Sequence, residues 1–375
     1  MNWKTPALWL CCLGFLLSCS SSKQDEVPGG DAAGELPDQQ EKWPDSLPEV
    51  ADDSGTIQDR SSDTPGDKDN TQAETETADT GSGPADNFEG PDFQADGQGE
   101  SCPQFEPPVP AGVVQSDQVV EASGLVASRQ YAGVLWTHND SGDSARFFAL
   151  DEGGEDLGEY ELAGANAYDW EDMALGPGPV EGVDYLLLAD IGDNAGARDS
   201  VTIFRVAEPV PGTTADGGNN TLSQWDSIEL VYPDGAHDAE AFISDPESGD
   251  WLIVTKVMKG ECGVYHAAYP QELAQGPMVL EHSGALAFEM ATAADISPDG
   301  SLIVVRSYVH AEAWPRMPGT SLIDALFGTP CPVPLAPEFQ GETVAFSHHG
   351  KDYFTLSEGT SQTVWKIADG GEGGN

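Results

Sequence analysis

The sequence predicts an all-β fold, a β-propeller of five or six blades that follows a disordered acidic tether, and three observations predict it. Short apolar runs rich in Val, Leu, Ile, Tyr and Trp alternate with turns of Gly, Pro, Asp and Asn from Val113 to Ile367. That spacing belongs to many short strands, and no long 3.6-residue period competes with it. Five segments of this stretch also repeat one another, each with an acid on its first strand, and such a recurring strand unit is the mark of propeller blades. Residues 20 to 100, by contrast, contain hardly any large apolar side chain and cannot bury enough surface to offset the entropy of ordering.

The chain starts with a single cation, Lys4, and an apolar run from Ala7 to Leu17, the charged start and greasy middle of an export signal. The run is too short to span a bilayer. It ends in Leu16-Leu17-Ser18-Cys19, which resembles the bacterial lipobox. That resemblance implies removal of residues 1–18 and lipidation of Cys19, and several acyl chains on one residue hold a protein firmly to a membrane. Ser20 after the cysteine implies delivery to an outer membrane. The expected location is therefore the bacterial cell envelope, with the folded head in the periplasm or outside the cell.

Residues 19–100 form the linker, with 22 acids against 4 bases; like charges extend such a chain. The head, residues 101–370, lies in a stretch that is itself acidic, with 43 acids and 10 bases from position 101 onward. Nucleic acid is excluded as a partner, because phosphate backbones attract Lys and Arg, whereas divalent cations suit such a surface. The head is long enough for one substantial core.

Within the head, the first strand of each repeat carries Glu121 (EASGLV), Glu171 (DWEDMAL), Glu240 (DAEAFIS), Asp295 (TAADISPDG) or Glu342 (GETVAF). Asp295 stands one place out of register. Second strands follow in VLWTHND, YLLLADIGDN, WLIVTKV, LIVVRSY and YFTLSEG, and third strands in ARFFALD, SVTIFRV, GVYHAAY and TVWKI. A strand near Val113 to Val120 is expected to join the last blade and close the ring, which removes exposed strand edges.

The innermost strand of every blade lines the central channel, so acids at one position of that strand form a ring at one mouth. Second strands run back to the same face and end in Asn139 and Asp140, Asp190 and Asp193, Lys256, Arg306, and Glu358. Clustered acids repel and raise one another's pKa values, so something positive must answer them. One answer is protein: Lys256 and Arg306 pair with Glu240, Glu342 or Asp295 in a structural ring. The other is metal: Glu121, Asp140, Glu171, Asp190, Asp193, Glu240 and Glu342 are the candidate ligands, and Ca²⁺ accepts six to eight oxygens in flexible geometry. The loops NDSGDS and DIGDN have the short carboxylates and glycines of calcium loops, and equally those of ordinary turns. Zinc is disfavoured, since no His or Cys cluster stands at zinc spacing.

SGLVAS with LWTHNDSGD, DWEDMAL with LLLADIGDN, and QGETVAF with FTLSEG resemble the phytase-like, esterase-type propeller domains of bacterial secreted proteins and lipoproteins. The resemblance covers most of Val119 to Ile367 and implies a calcium-rich propeller with relatives that hydrolyse phosphate esters. It would give Lys256, Arg306 and Glu358 a ligand or phosphate-holding role, with Arg146 and Arg198 nearby in loops. Metal-bound water would then be the nucleophile and Glu171 or Glu240 the base. No Gly-x-Ser-x-Gly elbow, phosphate-cradling loop or HExxH motif occurs. Three functions stay open: a calcium-stabilised propeller binding a small ligand or an envelope protein at its mouth, a metal-dependent phosphoesterase, and a structural envelope protein.

Once Cys19 is lipidated, Cys102, Cys262 and Cys331 remain, and export permits a disulfide. Loops carrying Cys262 and Cys331 are expected on the mouth face, which favours pairing those two and leaves Cys102 free.

Overall fold

The structure is a computed structural model and describes residues 102–212, 220–272 and 276–371. Cys19 and the tether lie outside the described residues. Five antiparallel sheets stand in a ring, one per blade. The first blade is built from strands Ala122–Ala127, Val134–Asn139, Arg146–Asp151 and Asp156–Leu162, and the second from Trp170–Pro177, Asp184–Asp190, Val201–Ala207 and Trp225–Val231. Ala239–Ser244, Trp251–Thr255, Cys262–Ala267 and Glu281–Leu286 make the third; Ala293–Ile296, Leu302–Arg306, Ala311–Pro315 and Cys331–Val333 make the fourth. Blade five has Ala345–Phe346, Tyr353–Thr355 and Thr363–Ile367, and its outer strand is Val109–Val113 from the start of the head.

Ring closure therefore occurs as expected, with a shifted strand. Val109 faces Lys366 and Val113 faces Thr363, while residues 114–120 lead from this strand towards the first blade. Val114 and Val119 are buried along that path, packed with Leu125, Phe148, Phe354 and Val364.

Adjacent blades bury the core between them. One apolar cluster lies in each of the five gaps. Trp251–Thr255 is buried along its whole length because a blade covers it on either side. Its Trp-Leu-Ile-Val run is the sequence expected of a strand with no wet face. Trp136, Trp170, Trp251 and Trp314 are among the largest fully buried side chains, each of a size whose truncation costs about 3–5 kcal/mol.

Two connections were not foreseen. Asn220–Leu222, in the insertion after the third strand of blade two, pairs in parallel with the outer strand of blade one. Met278–Val279, in the matching insertion of blade three, does the same for blade two. Blades two and three thus each cover the open edge of the blade before them. The short helix Leu322–Leu326, capped by the Ser321 side chain, fills the equivalent connection in blade four.

The disulfide joins Cys102 to Cys331, with a Cα–Cα separation of 5.5 Å, which corrects the expected Cys262–Cys331 pair. Cys262 opens the third strand of blade three and points into the core between blades three and four, fully buried and free. Cys331 lies on the outer strand of blade four, where the segment before the closing strand reaches it. Next to that link, Phe105 bridges to Asp369 and packs edge-on against Tyr353. Among the described residues no helix is long and apolar enough to cross a membrane.

Candidate functional site: an acidic channel mouth

Inner strands begin at one face and second strands return to it, and short backbone clips fix the meeting points. The Asp140 N–H donates to the Glu121 carbonyl (2.8 Å), Lys256 N–H to Asp238 (2.9 Å), and Glu358 N–H to Gln340 (2.9 Å). A β-bulge then re-aims one side chain in each of three inner strands, because a bulge sets two residues opposite one. Pairing skips Ser123 in blade one, Glu171 in blade two and Glu240 in blade three. Glu171 and Glu240 are thus equivalent. Blade one has Ser123 at this place, and its Oγ donates to the Glu171 carbonyl at 2.7 Å.

The result is a dense set of carboxylates. Asp140, Asp169 and Glu171 bring oxygens within 4.8 Å of one another, and Asp140, Glu342 and Glu358 do the same. Asp140 belongs to both groups. Burial, and after it the neighbouring carboxylates, push Asp140 and Asp169 each up to about 6. Glu171 is raised well above the usual range by burial and by Glu240, Asp140 and Asp169. Glu358 is pushed up to about 9 by burial and by the Glu342 carboxyl beside it.

One base answers part of this charge. Lys256 Nζ donates to Glu240 Oε1 and, at 3.0 Å, to the Tyr308 hydroxyl, which in turn donates to Glu342 Oε1. Burial disfavours the ammonium, yet Glu240 and Tyr308 outweigh it and raise its pKa. The second oxygens of Glu240 and Glu342 are buried without a partner, and these residues are only 4% and 5% exposed. Lys256 therefore answers the blade-three side, whereas Asp140, Asp169 and Glu171 form no ion pair among the described residues and the base beside Asp169, Arg198, is paired with Asp190.

The acids also fill the space that a side chain at position 192 would take. A Cβ added to Gly192 would sit 2.3 Å from Glu171 Oε1 and 2.4 Å from Asp169 Oδ2. Only glycine leaves both carboxylates where they are.

The remaining expected residues take other places. Glu121 is at the mouth and exposed. Asp190 accepts from the Tyr168 and Asp169 N–H groups and pairs with Arg198 at 2.7 Å. Asp193 accepts from the Ala197 and Arg198 N–H groups. Asp190 thus holds the segment that presents Asp169, and Asp193 holds the loop that carries Arg198. Arg306 is not at the mouth: it is wholly buried, bonded to Glu338 at 2.6 Å and to the Thr343 carbonyl. Asp295 lies deeper in the channel, where it accepts from the Ile296 and Phe346 N–H groups.

Asp169 escaped the sequence reading because it precedes the first strand and reads as a turn residue. Its place beside Glu171 in the DWED run is the signal that could have found it. Asp172, in the same run, accepts from Met173, Phe242 and Ala294 N–H groups and ties three inner strands together. His138 is buried beside Trp170, with its pKa lowered by burial, and His237 lies with Asp234 and Tyr265.

The mouth thus offers only oxygen donors from Asp and Glu, buried on one side and open on the other, which suits a hard cation. No protein-family model matches the chain, and no curated protein is significantly similar to it.

Proposed function

We propose that the head binds a divalent cation, Ca²⁺ by its all-oxygen donors, between Asp140, Asp169 and Glu171, and that the chain carries this mouth as a lipoprotein anchored through Cys19 in a bacterial envelope, outer membrane included. The observation that carries the cation site is the pair of carboxylate triplets sharing Asp140 when the bases near them are committed elsewhere, Lys256 to Glu240 and Arg198 to Asp190. The lack of a Cβ at Gly192, which lets the Glu171 and Asp169 carboxylates come together there, supports it. Three carboxylates completed by water match the donor count of calcium. The anchor rests on the Leu16–Cys19 sequence.

The phosphoesterase reading has less support. A phosphate at the mouth would meet carboxylates with Arg306 sealed against Glu338 and Lys256 already paired. A purely structural ring fits Glu240 and Lys256 alone.

Calcium titration of the full chain by calorimetry, against Asp140→Asn and Gly192→Ala, tests the site. A binding step present in the parent and lost in both variants supports it; identical titrations of all three exclude it. Mass analysis of the mature N-terminus, with Cys19→Ser as control, tests the anchor.

A further inference from the structure

We propose that the rim of this mouth is a docking surface for a protein segment that presents a Lys or Arg side chain between apolar residues; the proposal builds on the reading of the mouth as a cation site. Four large apolar side chains stand out in the loops of the mouth face: Tyr168 at 63% exposure, Met258 at 59%, Val309 at 84% and Phe339 at 92%. Exposed apolar residues scattered singly are ordinary. These are not scattered, since each adjoins a residue of the charged centre. Tyr168 precedes Asp169, and its ring carries the Arg198 guanidinium at 4.8 Å. Met258 is two places beyond Lys256, and Val309 follows Tyr308, the residue that bridges Lys256 and Glu342. Phe339 precedes Gln340, which donates to Glu358 at 2.7 Å. Exposed apolar side chains in the same loops as a charged centre are the make-up of an interaction site.

Charge complementarity selects the occupant. Among the described residues, Glu121, Asp140, Asp169, Glu171, Glu342 and Glu358 are in no ion pair within 4 Å, and one divalent ion reaches only the triplet that holds it. With the ion held by Asp140, Asp169 and Glu171, Glu342 and Glu358 of the second triplet remain, Glu358 bonded to Gln340 beside Phe339. Glu342 there keeps a buried, partnerless oxygen. A guanidinium or ammonium would supply the missing donors, and a charge-assisted bond to a carboxylate is about twice as strong as a neutral one. Apolar neighbours on the same segment would cover Phe339 and Val309 and exclude water from that bond. An acidic lipid surface or a nucleic acid would be repelled.

The test measures binding of short synthetic peptides, Arg flanked by Leu and Phe, to the full chain, with citrulline replacing Arg in the control peptide. The protein variant is Phe339→Ser with Val309→Ser; both side chains are exposed, so folding is not at stake. The Arg peptide is expected to bind the parent at least tenfold more tightly than the citrulline peptide. It should bind the double variant at least tenfold more weakly, with the calcium titration unaltered. The acidic tether is the same in parent and variant, so attraction to it cancels. Equal binding to parent and variant, equal binding of the two peptides, or no binding of the Arg peptide would overturn the docking surface. Loss of the calcium response in the parent alone would sink the cation site and leave the peptide comparison readable.

Discussion

Asp172 and Asp295 occupy the same place in two different blades. Each Oδ1 accepts from the next N–H of its own strand, Met173 or Ile296, both at 2.8 Å. Each Oδ2 accepts from the inner strand of the following blade, Phe242 at 2.9 Å or Phe346 at 2.7 Å. This equivalence explains why Asp295 stands out of register with Glu171: it belongs to an inner ladder of blade-to-blade ties, not to the mouth.

Removing Asp172 should therefore loosen the ring. Asp172→Ala leaves the Phe242, Ala294 and Met173 N–H groups buried without an acceptor, and each such orphan costs about 1–3 kcal/mol. Denaturant unfolding should show a loss of at least about 3 kcal/mol, and a smaller loss for Asp295→Ala. A change under about 1 kcal/mol would mean that the ties do not hold the blades.

Lys256→Met should destabilise by about 3–5 kcal/mol, since breaking a buried pair leaves a bare charge. Adding Glu240→Gln should recover much of the loss, a coupling that a double-mutant cycle reads directly. Additive effects would show that Lys256 serves some group other than Glu240.

Stability in chelator should depend on pH in a set direction. Asp140 and Asp169 titrate at about 6 in the folded head, against about 3.9 unfolded. Acids with raised folded values bind protons more tightly when folded, so their contribution is greatest below about pH 4 and falls as pH rises through about 6. Glu358, at about 9, extends the decline to higher pH. Calcium should flatten the fall, because the ion replaces the protons. Melting temperatures measured from pH 5 to 8, with and without calcium, check this; parallel curves would contradict it.

Non-reducing digestion should recover a peptide containing Cys102 linked to one containing Cys331, and Cys262 should resist alkylation until the head unfolds. Cys331→Ser should cost about 2–5 kcal/mol. A Cys262–Cys331 peptide would contradict the fold around blade four.

Much of the fold was legible because inner and second strands are apolar on both faces and repeat. Outer strands were not. Asp156–Leu162 mixes exposed, half-buried and buried positions, and its pattern matches neither a buried run nor a clean alternation. At the mouth, Glu171, Glu240, Glu342 and Asp140 were found through their repeat positions. Bulges hid the true register, since one extra residue per strand cannot be seen in an ungapped repeat. Arg306 misled because its backbone ends a second strand as Lys256 nearly does, while its side chain turns inward to Glu338, a residue in no repeat. Three cysteines could not fix a pairing without knowing that Cys262 faces the core.

The central claim is that the unanswered acids bind a divalent cation, and thermal unfolding of the full chain with calcium or with chelator tests it most directly, because it reads the folded head itself. A ligand specific to the folded state at a hundredfold excess over Kd adds about 2.7 kcal/mol, worth several degrees in a domain of this size. The account predicts a rise of that order with calcium, absent in Asp140→Asn. The same melting temperature in calcium and in chelator would contradict it.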